Sequence, residues 1–503
     1  MRRKMPFLML VLSALVYSPH TVNGEEVSQA DALTALNKAL DFYHDKVADH
    51  GGYVWRYSGD LKLREGEGKT DGSAVWVQPP GTPSIGEAYL DAYEATGDKR
   101  HLRMAGDVAN CLLRGQLHSG GWNYSIEFDP EKRAKQSYRV DLASSGRKVP
   151  GEKAKPPAGW DEWMKRKYKG NLTVLDDDTT QAAVRFLMRL DKTADFKNKP
   201  VHEATLYALD SLLLAQYPNG AWSHCYDCYP HWPPDAATYP VVKASLPETW
   251  SRTWTKDWTG CYRLNDRISL DLVAMMLEAH EVYGDTRYLE SAKRGGDFLL
   301  LAQLPEPQPA WSQQYNRQMQ PVWDRKFEPP AITGLESQDT LETLLLLYRR
   351  TGEKRYLTPV PKAISYLKKL ELPGGKLARF YELKTDKPLY FTKDYQLTYS
   401  DKDAPKHYGF QFDSRLDRIE AEYQRLLKSG PGERTKGSPS AQKLADKVRK
   451  IIDQQDEHGA WVERGGLDAH DVTPESGIIQ SKTFVDNVRT LADYIVATAP
   501  TSP

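Results

Sequence analysis

Three stretches of this 503-residue chain bring carboxylates and a guanidinium close enough together in sequence to do chemistry. The segment LDDDTT, Leu175 to Thr180, sets Asp176, Asp177 and Asp178 side by side at the start of a helical pattern. One Asp there is explained as an N-cap at the positive end of the helix dipole. Three adjacent carboxylates repel one another, so a cation or a cationic substrate group is a further demand. In RLND, Arg263 to Asp266, the pair Asn265-Asp266 precedes the helical run ISLDLVAMMLEAH and poses the same choice between cap and oxygen ligands. The third stretch, WDRKFEPPAITGLES from Trp323 to Ser337, carries Arg325 with Trp311, Trp323 and Phe327 nearby. An isolated Arg in such a loop is more often a surface or ion-pair residue, yet its guanidinium suits a sugar carboxylate and the aromatics suit stacking on sugar rings.

What must position these loops is a repeat. A Trp signature recurs at the ends of helical segments: GQLHSGGW to Trp122, AQYPNGAW to Trp222, AQLPEPQPAW to Trp311, QQDEHGAW to Trp461, with HGGYVW to Trp55 as a fifth copy. A second signature falls between helices, where Gly97, Gly284 and Gly352 suit the left-handed end of a helix. Apolar spacing, as in Leu33, Leu36, Leu40, Tyr43 and Val47, predicts helices near 28–47, 82–96, 100–116, 178–191, 199–216, 267–283, 286–303, 336–351, 355–370, 414–427, 438–455 and 483–498. Twelve helices make six hairpins, and strand-like alternation is confined to pieces such as YVWRY and LARFYEL. The expected fold is all-α: an α/α toroid or incomplete α/α barrel of about six helical hairpins with short β pieces, over 25–500 as a single domain. Inserted loops are expected near 130–170, 225–262 and 428–440, the second an ordered aromatic cap and the third a mobile loop. The loops before the first helices emerge at the Trp end, which gathers the three polar stretches. Together they favour a hard-cation site such as calcium.

Lys plus Arg equals Asp plus Glu, 68 each, so nothing in the balance points to nucleic acid or a polybasic membrane surface. Arg2, Arg3 and Lys4 before FLMLVLSALVY read as a signal peptide over 1–24, too short for a membrane span, and imply a secreted or periplasmic protein. Of four cysteines, one disulfide among Cys225, Cys228 and Cys261 is open, with Cys111 a buried thiol. A zinc site with His224 and His231 ranks below that. Aromatic residues are the unusual fraction, 13 Trp, 28 Tyr and 12 Phe. Those in the Trp signatures are read mainly as helix-packing anchors, and those in the cap and around Trp323 as stacking surfaces.

At the residues themselves the chain resembles a family. AQYPNGAW, the segment LDDDTT to Leu187, LND before a helix, and AWSQQY…DRKFEPPAITGLES followed by LARFYEL…KPLY are similar to the pectate lyases of polysaccharide lyase family 10, over about Asn171 to Tyr395. The resemblance is piecewise but ordered, and DRKFEPPAITGLES is its most specific part. It implies a toroidal α/α fold and calcium-assisted β-elimination on polygalacturonate or a related acidic polysaccharide. Asp176 and Asp266 match the family's acidic residues at the calcium and substrate site, and Arg325 matches the proposed base; the metal expectation is Asp176, Asp266 and Asn265, and the catalytic one Arg325 and Asp176. Asp177, Trp222, Trp323, Arg379 and Lys393 are the substrate-binding expectations. The chain departs from the family where Asp176-Asp177 replaces Asp-Asn, in the helix after Asn265-Asp266, in a longer 225–262 segment, and after KPLY, where Thr392-Lys393-Asp394 replaces a Gly-Arg-Asp turn. Lys393 keeps the charge and loses bidentate geometry.

Two other readings follow from the same residues. An α/α-toroid glycoside hydrolase would use a carboxylate pair such as Asp176 and Asp266 as general acid and base. A non-catalytic glycan-binding protein would use the Trp signatures only for packing.

Overall fold

The computed structural model describes residues 27–149, 168–227, 233–432 and 440–499; the expected signal peptide and parts of the three expected insertions lie outside them. Among the described residues, besides two short helices at Pro130–Arg133 and Arg139–Ser145, there are twelve main helices: α1 Gln29–Phe42, α2 Thr82–Thr96, α3 Lys99–Gly115, α4 Thr179–Thr193, α5 Lys199–Ala215, α6 Ile268–Tyr283, α7 Thr286–Ala302, α8 Gly334–Thr351, α9 Val360–Lys369, α10 Leu416–Ser429, α11 Ala441–Asp453 and α12 Ser481–Ala497. The predicted spans agree to within a few residues at most ends. Gly97, Gly284 and Gly352 do close α2, α6 and α8 in the left-handed conformation, each donating its N–H to the carbonyl four residues earlier. Leu33 is a correction: it faces outward, and α1 buries Ala32, Ala35, Leu36, Ala39 and Leu40.

The helices form two layers. The inner ones pack in the order α12, α2, α4, α6, α8, α10, while α3, α5, α7 and α9 back α2, α4, α6 and α8, and α1 and α11 back α12. This is the α/α toroid, with one nearly continuous apolar core. Its strands are short and gathered at one end. The two largest sheets run Val462–Glu463, Ile478–Gln480, Arg56–Ser58, Arg64–Glu65, Lys69–Thr70 and Ala331–Thr333, Phe380–Glu382, Pro388–Phe391, Leu397–Thr398, and every paired strand is antiparallel.

The Trp signature is what joins one hairpin to the next. The indole N–H of Trp122, Trp222, Trp311 and Trp461 donates to the carbonyl of Leu112, Leu212, Leu299 and Ile451 in its own outer helix, at 2.8–3.0 Å. The backbone N–H of Trp122, Trp222 and Trp311 then donates to a hydroxyl in the first turn of the next inner helix, Thr180, Ser269 and Ser337. Tyr53 makes the same bond to Thr82. Trp55 departs from the pattern, donating to the Gln78 carbonyl at 2.9 Å. Gly220 in AQYPNGAW sits at φ 94° with a Cβ position blocked by the Arg294 backbone, so only glycine fits that turn.

Trp222 is therefore architectural. Trp222→Ala removes a fully buried indole and its hydrogen bond, and is expected to cost about 3–5 kcal/mol of unfolding free energy in urea titration. Trp222→Phe keeps most of the volume and is expected to cost about 1–3 kcal/mol, chiefly the stranded Leu212 carbonyl.

Candidate active site

Two of the inner helices begin in an unusual way. Before α4 and α6 the chain makes a short 3-10 turn in which Asp177 and Asp178, and then Asp266 and Arg267, take left-handed φ of 48° and 60° in both cases. Each such non-glycine residue costs about 1–2 kcal/mol, and Asp is among the types that tolerate it best. The reason these turns exist is chain length. From Val174, which bonds the Trp122 carbonyl, to Thr180 the chain runs six residues, and from Arg263, which bonds the Trp222 carbonyl, to Ser269 it again runs six. At α8 the equivalent stretch, Thr333 to Ser337, is four. Two extra residues are looped out at α4 and α6, and those loops carry the acids.

One carboxylate oxygen each from Asp176, Asp177 and Asp266 falls within 4.8 Å of the others. Asp176 Oδ2 accepts the Tyr124 hydroxyl at 2.8 Å and lies 3.1 Å from His224 Nε2. Its Oδ1 is buried and has no hydrogen-bond partner among the described residues. Burial opposes ionisation of Asp176, but His224 and Tyr124 outweigh it and hold the carboxyl below its ordinary range. The other two go the opposite way. Burial, then Asp176, Asp266 and the exposed Glu67, push Asp177 up to about 7. Burial, then Asp176 and Glu328, push Asp266 up to about 6. Gln78 holds Asp177 Oδ2 at 2.8 Å, and the Asn265 amide holds Asp266 Oδ2 at 2.9 Å.

A cationic wall faces this cluster. Arg325 donates through its backbone N–H, Nε and Nη2 to both oxygens of Glu328, at 3.1, 2.7 and 2.5 Å, and acts electrostatically on Asp177 and Asp266. Glu328 is fully buried and also accepts the Tyr408 hydroxyl at 2.8 Å. Arg379 donates to that same hydroxyl at 2.6 Å and lies 3.7 Å from Glu336. Glu336 is pushed up to about 7, first by burial. Beneath, the fully buried Arg263 pairs with Asp324 and sits 3.5 Å from Asn265 Oδ1. The Arg325 loop is pinned by Trp323 and Phe327, both in a second aromatic cluster with Phe380, Tyr390, Phe391 and Phe410.

Several expectations are corrected by this placement. Asp177, expected to bind substrate, stands with Asp176 and Asp266 in the carboxylate cluster. Asn265 turns its amide to Asp266 at 2.9 Å and its carbonyl oxygen toward Arg263 at 3.5 Å, so it orients a carboxylate of the cluster. Trp222 is wholly buried and Trp323 nearly so, its indole N–H on the Ser251 carbonyl; neither offers an open face to a sugar. Lys393 is exposed and pairs with Asp403 at 3.3 Å. Burial works to discharge Arg325, but Glu328 outweighs it and raises the guanidinium pKa, the reverse of what a proton acceptor needs. Cys111 and Cys225 are buried free thiols, and Cys228 and His231 lie outside the described residues. Tyr124, His224, Gln78, Glu328, Glu336 and Tyr408 were not singled out for this site from sequence. Glu328 and Glu336 lie in the Trp323–Ser337 motif and His224 stands in the sequence only as a zinc candidate, while Tyr124, Gln78 and Tyr408 carry no local signal.

The geometry thus defines an α/α toroid with a three-carboxylate cluster and a guanidinium wall at one end. No family model and no curated protein matches the chain. Among solved structures it is similar to a family 10 polysaccharide lyase from Cellvibrio cellulosa, at 16% identity over 69% of this chain and 97% of that one, TM-score 0.42. It is also similar to a sugar epimerase from a ruminal bacterium, at 11% identity over 94% and 100%, TM-score 0.45. A third is the GH76A α-1,6-mannanase from Salegentibacter sp. HEL1_6, at 11% identity over 93% and 100%, TM-score 0.39. At this level of likeness none of them decides the chemistry. No helix among the described residues is long and apolar enough to cross a membrane.

The cluster has a pH signature. Folding raises Asp177 to about 7 and Asp266 to about 6 from an ordinary value near 4, so the unfolded chain binds fewer protons between those limits and stability falls as pH rises. In chelator, thermal unfolding is expected to occur at higher temperature at pH 6 than at pH 8, and Asp177→Asn is expected to flatten that dependence. An unchanged slope in Asp177→Asn would remove the repulsion from the account.

Proposed function

We propose that this protein is an extracytoplasmic polysaccharide lyase, a single toroidal domain over 25–500 that cleaves polygalacturonate or a related uronan by cation-assisted β-elimination. The observation that carries this is the meeting of three carboxylates with the Arg325 wall at one end of the toroid. The ordered motif resemblance from Asn171 to Tyr395 supports it. Oxygens that share a calcium ion at about 2.3–2.6 Å lie no more than about 5 Å apart, and Asp176, Asp177 and Asp266 meet that limit. The orphaned Oδ1 of Asp176 is an acceptor of the kind a hard cation satisfies. These three residues would hold calcium. When bound, the cation supplies positive charge for the substrate carboxylate and for the negative charge that grows as the C5 proton leaves.

The chain's own groups do the rest. Glu328 keeps Arg325 charged and fixed in direction, so its outer face is preorganised for a uronate carboxylate or the enolate-like oxygens that form from it. Arg379 and the Tyr408 hydroxyl form the flank of that wall. In this arrangement Arg325 contributes charge stabilisation. The base role implied by the resemblance requires the guanidinium to leave Glu328 first. In the elimination the C5 proton passes to a base, Arg325 once released from Glu328 or otherwise water, the C–H electron pair forms the C4–C5 double bond, and the C4 oxygen leaves with a proton from water to give an unsaturated sugar.

A second reading keeps one specific observation. Asp177, pushed up to about 7, is a carboxyl able to donate a proton at neutral pH, as a hydrolase acid must. Products separate the two readings, because elimination yields an ultraviolet-absorbing unsaturated end and hydrolysis adds water.

The test is turnover of oligouronates with calcium, with chelator, and in Arg325→Ala, following new double bonds. The expected result is calcium-dependent double-bond formation, lowered by about 10²–10³-fold in Arg325→Ala, the usual size of a lost charge-stabilising donor. Saturated products, or full activity in chelator, would overturn the proposal. Glu328→Gln resolves Arg325's role. If the guanidinium acts as base, releasing it lowers its pKa and moves the activity profile to lower pH; if it acts as a cation, activity falls with no such shift.

A further inference from the structure

Asp178 and Arg267 occupy the same place in the two left-handed turns, directly after Asp177 and Asp266 and directly before the first residues of α4 and α6. Both sit at φ 60°. Neither belongs to the carboxylate cluster. Asp178 lines an open cavity of about 590 Å³ bordered by α2, α4, α6 and α12, and there it pairs with Arg185 of α4. Arg267 pairs with Asp271 of α6 and with Asp339 of α8, each at 3.0 Å. Asp339 is nearly buried and is itself held by Arg415 at 2.6 Å. The two turns thus share a backbone shape and an ion-pair anchor, with the charges reversed: acid on the turn and base on the helix in one, base on the turn and acids on the helices in the other.

We propose that Arg185 in the first turn, and Asp271 with Asp339 in the second, are positioning residues for the cation site. Two consecutive left-handed residues with side chains are intrinsically disfavoured, so a turn built from them relaxes unless something outside it holds it. The anchors hold Asp178 and Arg267 from the interior side and thereby keep Asp177 and Asp266 converging on Asp176. The inference rests on the cation reading of the cluster. It goes beyond that reading in assigning a function to interior ion pairs that a cation or substrate at the cluster need not touch.

Electrostatics alone makes the opposite prediction, which gives the test its force. Arg185 is a cation close behind an acidic site, so its removal leaves the site more negative, and a purely electrostatic role predicts tighter cation binding. An anchoring role predicts weaker binding, by about 10- to 100-fold as for other residues that orient metal ligands. The measurement is calorimetric titration of calcium into the full-length wild type and Arg185→Met, with thermal unfolding of both in chelator. Expected are weakened calcium binding and a chelator midpoint close to wild type.

The second turn supplies a further variant. At the places of Asp178, Ala182 and Arg185 it carries Arg267, Asp271 and Ala274. The triple variant Asp178→Arg, Ala182→Asp, Arg185→Ala therefore reverses the anchor at constant net charge, and it is expected to recover most of the affinity lost in Arg185→Met. If Arg185→Met binds calcium as tightly as wild type or more tightly, this inference falls while the cation reading stands. If Arg185→Met loses both affinity and stability, failure of the triple variant to recover affinity overturns it. If the wild type binds no calcium, the cation reading and this inference fall together.

Discussion

Mutual repulsion among Asp176, Asp177 and Asp266 is the constraint around which one end of this molecule is organised. Left to themselves, three carboxylates with oxygens within 4.8 Å of one another would separate or take up protons. The structure holds them together and shifts two of the three toward protonation. Asp176 is kept ionised by Tyr124 and His224, while Asp177 and Asp266 are pushed toward their neutral forms. Holding such a cluster together costs folding free energy at neutral pH, a cost that a bound cation would offset.

The toroid supplies the rigidity. The Trp122, Trp222 and Trp311 signatures each tie an outer helix to the start of the next inner helix through one indole bond and one hydroxyl bond, so neighbouring inner helices begin at fixed positions relative to each other. On that frame, two added residues before α4 and α6 are enough to project acids from adjacent inner helices toward a common point. The Arg325 loop arrives from the next repeat, fixed by the aromatic cluster around Trp323 and Phe327 and by the buried Glu328. The site is thus assembled from three consecutive repeats of one architectural unit, each modified in a different way.

Most of the fold was legible in the sequence because it repeats. Glycines at the helix ends, the Trp signatures and apolar spacing located twelve helices, and the strand pieces around Tyr57 and Tyr381 were visible as alternation. The acidic part of the site was legible for a similar reason, since three adjacent Asp residues are hard to explain as caps alone. What could not be read was direction. That Asp177 would join Asp176 and Asp266, and that the Asn265 amide would hold Asp266, depends on the left-handed turns, whose side-chain directions are not encoded in residue type. Trp222 and Trp323 look like sugar platforms in composition and are buried by long-range packing. Arg325 was found, but its partner Glu328 was read as part of a motif and not as the group that fixes its charge. Tyr124, Gln78 and Tyr408 reach the site from distant parts of the chain and leave no local trace.

The central claim is that these three carboxylates form one cation site, and a crystal structure of the protein grown or soaked with calcium tests it most directly. The account predicts a single ion with oxygens of Asp176, Asp177 and Asp266 all at about 2.3–2.6 Å. An ion bound elsewhere, or well-resolved density showing the three carboxylates apart and without an ion at millimolar calcium, would contradict it.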